Sequence, residues 1–360
     1  MPLEIEAHTA ARYASSASGE PTAAPASRSA PPASAEARAR SLSGRLSAHG
    51  ESRPLAIGLV NNMPDSALEA TERQFAGLLE AAAGTRPLTL RLSSLPELPR
   101  SPEARVRIAE EYWPLEELLA QRPDALIVTG TEPRAAQLTE EPYWGSLRAL
   151  LDWARAHTAT SIWSCLAAHA VVEILDGIHR RRLAEKRSGV YAHSILGGHP
   201  LLRGVSTPLM MPHSRWNELP PDALRAAGYT LLSWSAESGA DAFVREDRGL
   251  LLFFQGHPEY EATTLLREYR RDVGRYLNGQ QTHYPTVPRG YFPAEAAATL
   301  SAFRAEALSA PSPALLERFP FAALAASLDQ SWRVAAVAIY RNWLSGIASA
   351  PGPARVVETV

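Results

Sequence analysis

The sequence predicts a doubly wound α/β fold around a mostly parallel sheet, and three of its features lead there. Short aliphatic runs of strand length, at residues 55–60, 88–92 and 125–128, alternate with stretches of helical periodicity. That alternation places helices on both faces of a parallel sheet. The loops at 61–66, 129–134 and 164–166 each follow such a run, where open α/β sheets gather reactive groups and ligands. At 158–163 a β-branched and aromatic run stops at Ser164-Cys165, and a helix-forming run of small residues begins at once.

Taken in order, residues 1–53 are rich in Ala, Ser, Pro and Arg, without aliphatic periodicity. They cannot bury a core and read as a disordered tail. After the strand at 55–60, Asp65 or Ser66 can cap a helix running through Leu68, Phe75 and Leu79. The strand at 88–92 leads to a helical stretch at 102–119. It is interrupted near Trp113-Pro114, because proline has no N–H to give the preceding turn. Beyond the strand at 125–128, an amphipathic helix runs from Trp144 to Ala156. The strand and turn at Cys165 follow, and the next helix ends at Asp176-Gly177, a C-cap pair. Residues 180–234 are irregular and β-rich. Residues 242–245 and 249–254 read as a hairpin, running into Gln255-Gly256-His257-Pro258-Glu259-Tyr260. A helix from Thr263 to Leu277 carries Arg267, Arg270 and Arg271, and Ala-rich helices are expected at 293–308, 312–327 and 329–347. The expected organisation is a tail at 1–53, an α/β domain at 54–282 and a C-terminal helical extension at 283–360.

The 360 residues are 46% hydrophobic and 21% charged, with a net charge of −2. That suits one sizeable domain with an appendage, and gives no reason to expect a nucleic-acid partner or an anionic membrane. One cysteine excludes an intramolecular disulfide framework and a multi-cysteine metal site. No apolar run approaches the roughly 18–20 residues of a membrane span. Met1-Pro2-Leu3-Glu4 begins neither a basic n-region nor an apolar h-region, so a cytoplasmic protein is expected.

A lone cysteine is by default a buried structural residue. Cys165 sits differently, held at the carboxyl edge of a sheet with a helix amino end beneath it. The helix dipole favours an anion there, the form in which a thiol is nucleophilic. Such a nucleophile needs a base, and the base needs a group to orient it. His257 and Glu259 follow an apolar strand, with Pro258 fixing φ between them. A plain helix-start carboxylate is the other reading of Glu259. His169, one turn past Cys165, shares its helix face and reads as a hydrogen-bonded helix histidine rather than a proton relay. Lys186 is the sole lysine among 36 basic residues. Either a site there needs a slim ammonium that Arg cannot replace, or it is a solvated loop residue. Trp216, Trp234 and the apolar helices at 293–347 are expected to form core, or else a subunit interface.

These residues fall in stretches that resemble the homoserine O-acyltransferase family of methionine biosynthesis, of the O-succinyltransferase type. The matching stretches are Asn61-Asn62-Met63-Pro64, residues 125–130, Tyr143-Trp144, the Cys165 turn, residues 185–191, Pro212-His213-Ser214-Arg215, Gly256-His257-Pro258-Glu259-Tyr260 and Arg271-Asp272. They occur in family order over residues 54–293. The resemblance implies a class I glutamine-amidotransferase-like fold, with Cys165 as acyl-accepting nucleophile, His257 as general acid/base and Glu259 as its orienting partner. Lys186 and Ser214 fall where the family contacts substrate. Arg271 falls where it binds the amino acid's carboxylate, a task suited to a guanidinium fork. The implied substrates are L-homoserine and an acyl-CoA, with no bound cofactor and no metal. Backbone N–H groups of Leu166 and Thr131 are the natural oxyanion donors.

Two departures stand out. Ser164 and Ala167 replace the glycines that flank the cysteine in amidotransferases, and the first loop is longer, at Met63-Pro64-Asp65-Ser66. The position that sorts acyl donors, Gly for succinyl and Glu for acetyl, falls on Arg134. An Arg there can pair with a free carboxylate, which favours succinyl over acetyl; binding a CoA phosphate or lying in solvent are its other readings. Alternatives are the same transfer to another hydroxy amino acid such as serine, or an amidase. The C-terminal helices are candidates for a homodimer interface or a cover over the site.

Overall fold

The computed structural model describes residues 3–8 and 53–349. In chain order the elements are β1 (Leu3–Ile5), β2 (Leu55–Val60), α1 (Leu68–Ala83), β3 (Leu88–Ser93), α2 (Pro102–Glu111), α3 (Leu115–Ala120), β4 (Ala125–Val128), α4 (Trp144–His157), β5 (Thr160–Ser164), α5 (Leu166–Asp176), β6 (Arg181–Ile195) and β7 (Leu209–Glu218). They continue with α6 (Pro221–Ala226), β8 (Thr230–Leu231), β9 (Ser233–Ser235), β10 (Gly239–Ala240), β11 (Ala242–Glu246), β12 (Leu250–Phe254), α7 (Thr264–Leu277), α8 (Ala296–Ser309), α9 (Phe321–Ala325) and α10 (Arg333–Ser349).

The larger sheet runs β1-β3-β2-β4-β5-β12-β11-β8. Pairing is parallel from β1 through β12, and antiparallel from β12 to β11 and from β11 to β8. Every residue of β2, β4 and β5 is buried, which is why these strands are near-continuous apolar runs. Their side chains alternate between two cores. Ile57, Leu59, Ile127, Ile162, Leu252 and Phe254 face α1 and α10. Val60, Leu126, Val128, Trp163, Leu251 and Phe253 face α4 and α5. This is the doubly wound, mostly parallel sheet the sequence predicts. The break at Trp113-Pro114 also appears, between α2 and α3.

A second, antiparallel sheet has the order β10-β9-β6-β7. It sets Ser188 opposite Ser214, with a register irregularity between Arg182 and Arg187. A third apolar cluster joins Leu265, Leu266, Tyr269 and Val273 of α7 to Leu300 and Phe303 of α8, with Phe319 and Trp332.

Four expectations are corrected. Residues 3–8 are not part of a tail: β1 pairs in parallel with β3, Arg91 binds Glu6 at 2.9 Å, and Trp113 Nε1 donates to the Glu6 carbonyl at 2.8 Å. Three residues are too short to show periodicity, but the open edge of β3 offers them unpaired backbone groups. The remaining tail positions, 1–2 and 9–52, lie outside the described residues. The helix expected at 312–327 is a 3-10 turn at Pro313–Arg318 followed by the short α9, split at Pro320. Trp216 and Trp234 lie at the surface, 43% and 37% exposed; the Arg182 guanidinium covers the Trp216 ring at 4.4 Å. Finally, α10 is a layer of the main sandwich rather than an appendage. Ala336, Ile339, Tyr340, Trp343 and Leu344 pack in the same core as α1, and Trp343 Nε1 donates to Thr160 Oγ1 at 2.9 Å. No described helix is long and apolar enough to cross a membrane.

Candidate active site

Cys165 stands between β5 and α5 with φ +53° and ψ −113°. Among described non-glycine residues only Arg122 shares a positive φ. Holding a residue there costs on the order of 1–3 kcal/mol and persists only where the surroundings impose it. They do so here: Cys165 N–H donates to the Phe254 carbonyl at 2.7 Å, tying the turn to β12, and its own carbonyl accepts from His169 N–H at 3.3 Å. The side chain is half-buried and the thiol is free.

Leu166 opens α5, so its N–H has no carbonyl to bond within the helix. The loop after β4 lies directly on it. A Cβ on Gly130 would meet the Leu166 N at 2.8 Å, so this approach requires glycine. Thr131, Gly130, Leu166 and Tyr143 border one small void. Asn62 fixes the loop: its N–H donates to Thr129 Oγ1 at 2.8 Å, its Nδ2 to the Thr129 carbonyl at 3.1 Å, and its Oδ1 accepts from Leu95 N–H at 3.1 Å. One side chain thus joins the loops after β2, β3 and β4.

His257 lies just beyond β12, and its N–H donates to the Pro212 carbonyl at 2.8 Å. Its Nδ1 is 2.8 Å from Glu259 Oε1. A carboxylate only accepts, so Nδ1 carries a proton and Nε2 is left free to face a second partner; Cys165 is close enough for its charge to act on the ring. Burial opposes the imidazolium, but the charges of Glu259 and Cys165 outweigh it and hold His257 well above its ordinary pKa. The Tyr260 ring stacks on the imidazole at 4.2 Å and 15°.

Beneath the loop, Asp241 Oδ1 accepts Gly256 N–H at 2.7 Å. Gln255 Oε1 accepts from Leu219 N–H at 2.8 Å and from His169 Nε2 at 3.1 Å, and Gln255 Nε2 donates to the Ala240 carbonyl at 2.7 Å. His169 is therefore a hydrogen-bonded helix histidine. Burial pushes its pKa down to about 3, so it stays neutral.

Lys186, Ser214 and Arg271 meet around two carboxylates of α7. Lys186 Nζ lies 2.6 Å from Asp272 Oδ2 and 3.5 Å from Glu268 Oε2. Arg271 Nη2 lies 3.1 Å from Asp272 Oδ1. The Ser214 hydroxyl donates to Glu268, and Tyr260 O–H donates to Glu268 Oε1 at 2.6 Å. Burial raises both carboxyl pKa values, but Lys186 and Arg271 more than reverse this and hold them low. Tyr260 connects this cluster to the imidazole it covers. Glu268, Tyr260 and Asn62 are not singled out by the sequence reading. A signal existed for Glu268, which precedes Arg271 by three residues on one helix face.

Arg134 is exposed, and its N–H is held by Glu141 Oε1 at 2.5 Å. It lines a cavity of about 760 Å³ with Asn62, Met63, Arg100, Thr131 and Tyr143. Among the described residues, His193, His213 and Asp241 alone have metal-ligating spacing, yet their bonding closes within the protein. Arg215 Nε donates to His213 Nδ1 at 3.3 Å, His193 Nε2 lies 2.8 Å from Ser238 Oγ, and Asp241 takes Gly256 N–H. A buried guanidinium donating into the cluster makes it a poor cation site.

Fold and site define the class, an α/β enzyme with a cysteine at the carboxyl edge of its parallel sheet. Within that class the chain belongs to the homoserine O-succinyltransferase family, whose model matches residues 33–351. It is 49% identical over 262 residues to the homoserine O-succinyltransferase of Rhodopseudomonas palustris, covering 73% of this chain and 79% of that one. It is 47% identical over 256 residues to the enzyme of that name from Methylorubrum extorquens, with coverages of 71% and 77%. A solved glutamine amidotransferase from Thermotoga maritima is similar over 82% of this chain and 99% of its own, at 13% identity and a TM-score of 0.43.

Proposed function

We propose that the protein transfers the succinyl group of succinyl-CoA to the hydroxyl of L-homoserine through a thioester on Cys165, an early step of methionine biosynthesis. Family membership supports the substrates. The observation that carries the mechanism is His257, set between Glu259 and Cys165 with Nδ1 committed to the carboxylate.

The Cys165 thiolate attacks the thioester carbonyl. The bond from that carbon to the CoA sulfur breaks, and the departing sulfur takes the proton of the His257 imidazolium. The neutral His257 then removes the hydroxyl proton of homoserine, whose oxygen attacks the acyl carbon and displaces the Cys165 thiolate. Thiolate and imidazolium are restored. Leu166 and Thr131 N–H groups hold each tetrahedral oxyanion. Arg271 takes the amino acid's carboxylate as a fork, while Lys186 and Ser214 contact substrate. The cavity bordered by Thr131 and Arg134 admits the acyl-CoA.

Intact-mass spectrometry tests this. Mixed with succinyl-CoA, the protein gains one succinyl group on Cys165, acetyl-CoA labels it more slowly, and homoserine discharges the adduct faster than serine does. Cys165→Ala keeps the fold and takes no label. Turnover by Cys165→Ala at near wild-type rate would overturn the mechanism.

A further inference from the structure

We infer that Arg180, at the turn between α5 and β6, receives the free carboxylate of the transferred acyl group and so selects a dicarboxylic donor. This rests on the acyl-transfer reading above.

Arg180 is half-buried, and among the described residues it has no ion pair and no hydrogen-bond partner, in contrast to its neighbours. His179 Nδ1 lies 3.2 Å from Glu173, Arg181 binds Glu218 at 2.7 Å, and Arg182 covers Trp216. A guanidinium drawn partly out of water without a direct ion pair is costly, and a ligand anion would supply one.

The space for one is present. Arg180 lines a cavity of about 590 Å³ with Arg182, His179, Asn217 and Glu173, the last already paired with His179. That cavity and the larger one beside Thr131 share Pro133 as a wall. A second donor is idle nearby: the Tyr143 hydroxyl is buried without a partner, in the void that Leu166 and Thr131 border. Burial pulls the Arg180 pKa down, opposed by the acidic groups of Glu173, Cys165 and Glu141. The guanidinium therefore lies within electrostatic reach of the nucleophile. A succinyl group carries its carboxylate two methylenes beyond the reacting carbonyl. Such an anion can accept from the guanidinium as a fork, with the Tyr143 phenol a candidate second donor. Arg134, by contrast, is exposed.

The test measures the second-order rate of Cys165 acylation by succinyl-CoA and by butyryl-CoA, of similar length but without the carboxylate, together with the Kd of free CoA. Arg180→Gln is expected to lower the succinyl-to-butyryl rate ratio about 10- to 100-fold, the worth of a hydrogen bond to a charged group. Free CoA should bind unchanged, and Arg180→Lys should restore part of the ratio. Tyr143→Phe should cost roughly 2- to 10-fold. Three results would overturn the assignment: an unchanged ratio in Arg180→Gln, an equal loss on both thioesters with weakened CoA binding (a phosphate site), or the ratio collapsing in Arg134→Gln instead. Failure of the acyl-transfer reading itself would look different, since wild-type Cys165 would take no label from either thioester.

Discussion

At the scale of single residues, Glu259 sets the state of the base. Its charge is the largest influence holding His257 protonated against burial. Glu259→Gln should therefore lower the His257 pKa, read from imidazole NMR, and reduce the acylation rate roughly 10²- to 10⁴-fold. An unmoved titration would show that the pairing is not what holds the proton. The elbow gives a second prediction. At φ +53° an alanine keeps the strain of Cys165 while glycine has none, so Cys165→Gly should be more stable than Cys165→Ala by about 1 kcal/mol in urea unfolding. If the alanine variant were the more stable, the turn would not be strained. The cysteine, the histidine and the glutamate were legible in the sequence because each sits at an abrupt local change of pattern. Asn62 and Gln255 were not. They act across 67 and 86 residues of chain, and nothing in their own neighbourhoods announces the partner.

At the scale of elements, α7 gathers charge that would otherwise be costly to bury. Glu268 and Asp272 have folded pKa values below their ordinary ones, once Lys186 and Arg271 have reversed the effect of burial. Groups of this kind contribute stability above their unfolded pKa, 4.5 for Glu and 3.8 for Asp, and lose it as pH falls through the folded value. The difference in Tm between wild type and Glu268→Gln should thus be largest near neutrality and shrink as pH falls below about 4.5. A difference independent of pH would mean that Glu268 acts through packing alone. The helix itself was readable from its periodicity, and so were the strands of the larger sheet from 55 onward. What was not readable is that β6 and β7 bring Lys186 and Ser214 to this helix. Their register depends on an irregularity between Arg182 and Arg187 that no alternation of residue types signals.

At the scale of the whole molecule, the sheet needs both faces covered, and this decides the place of the C-terminal helix. One face has α4 and α5; the other has α1 and would lie partly open without α10. Apolar residues at 336, 339, 340, 343, 344 and 347 give α10 a single buried face at helical spacing. Sequence alone shows that such a face exists, but not whether it meets this sheet or a second subunit. The packing also reaches the elbow. Tyr340 stacks on Phe254 with ring centroids 6.3 Å apart, and the Phe254 carbonyl holds Cys165 N–H. Leu344→Ala, at a position 2% exposed, should then cost about 2–5 kcal/mol. It should do so within one cooperative transition, followed together by circular dichroism, tryptophan fluorescence and loss of Cys165 labelling. A separate early transition in one signal, with labelling retained after it, would mean that α10 unfolds independently and that the elbow is held by β5 and β12 without it.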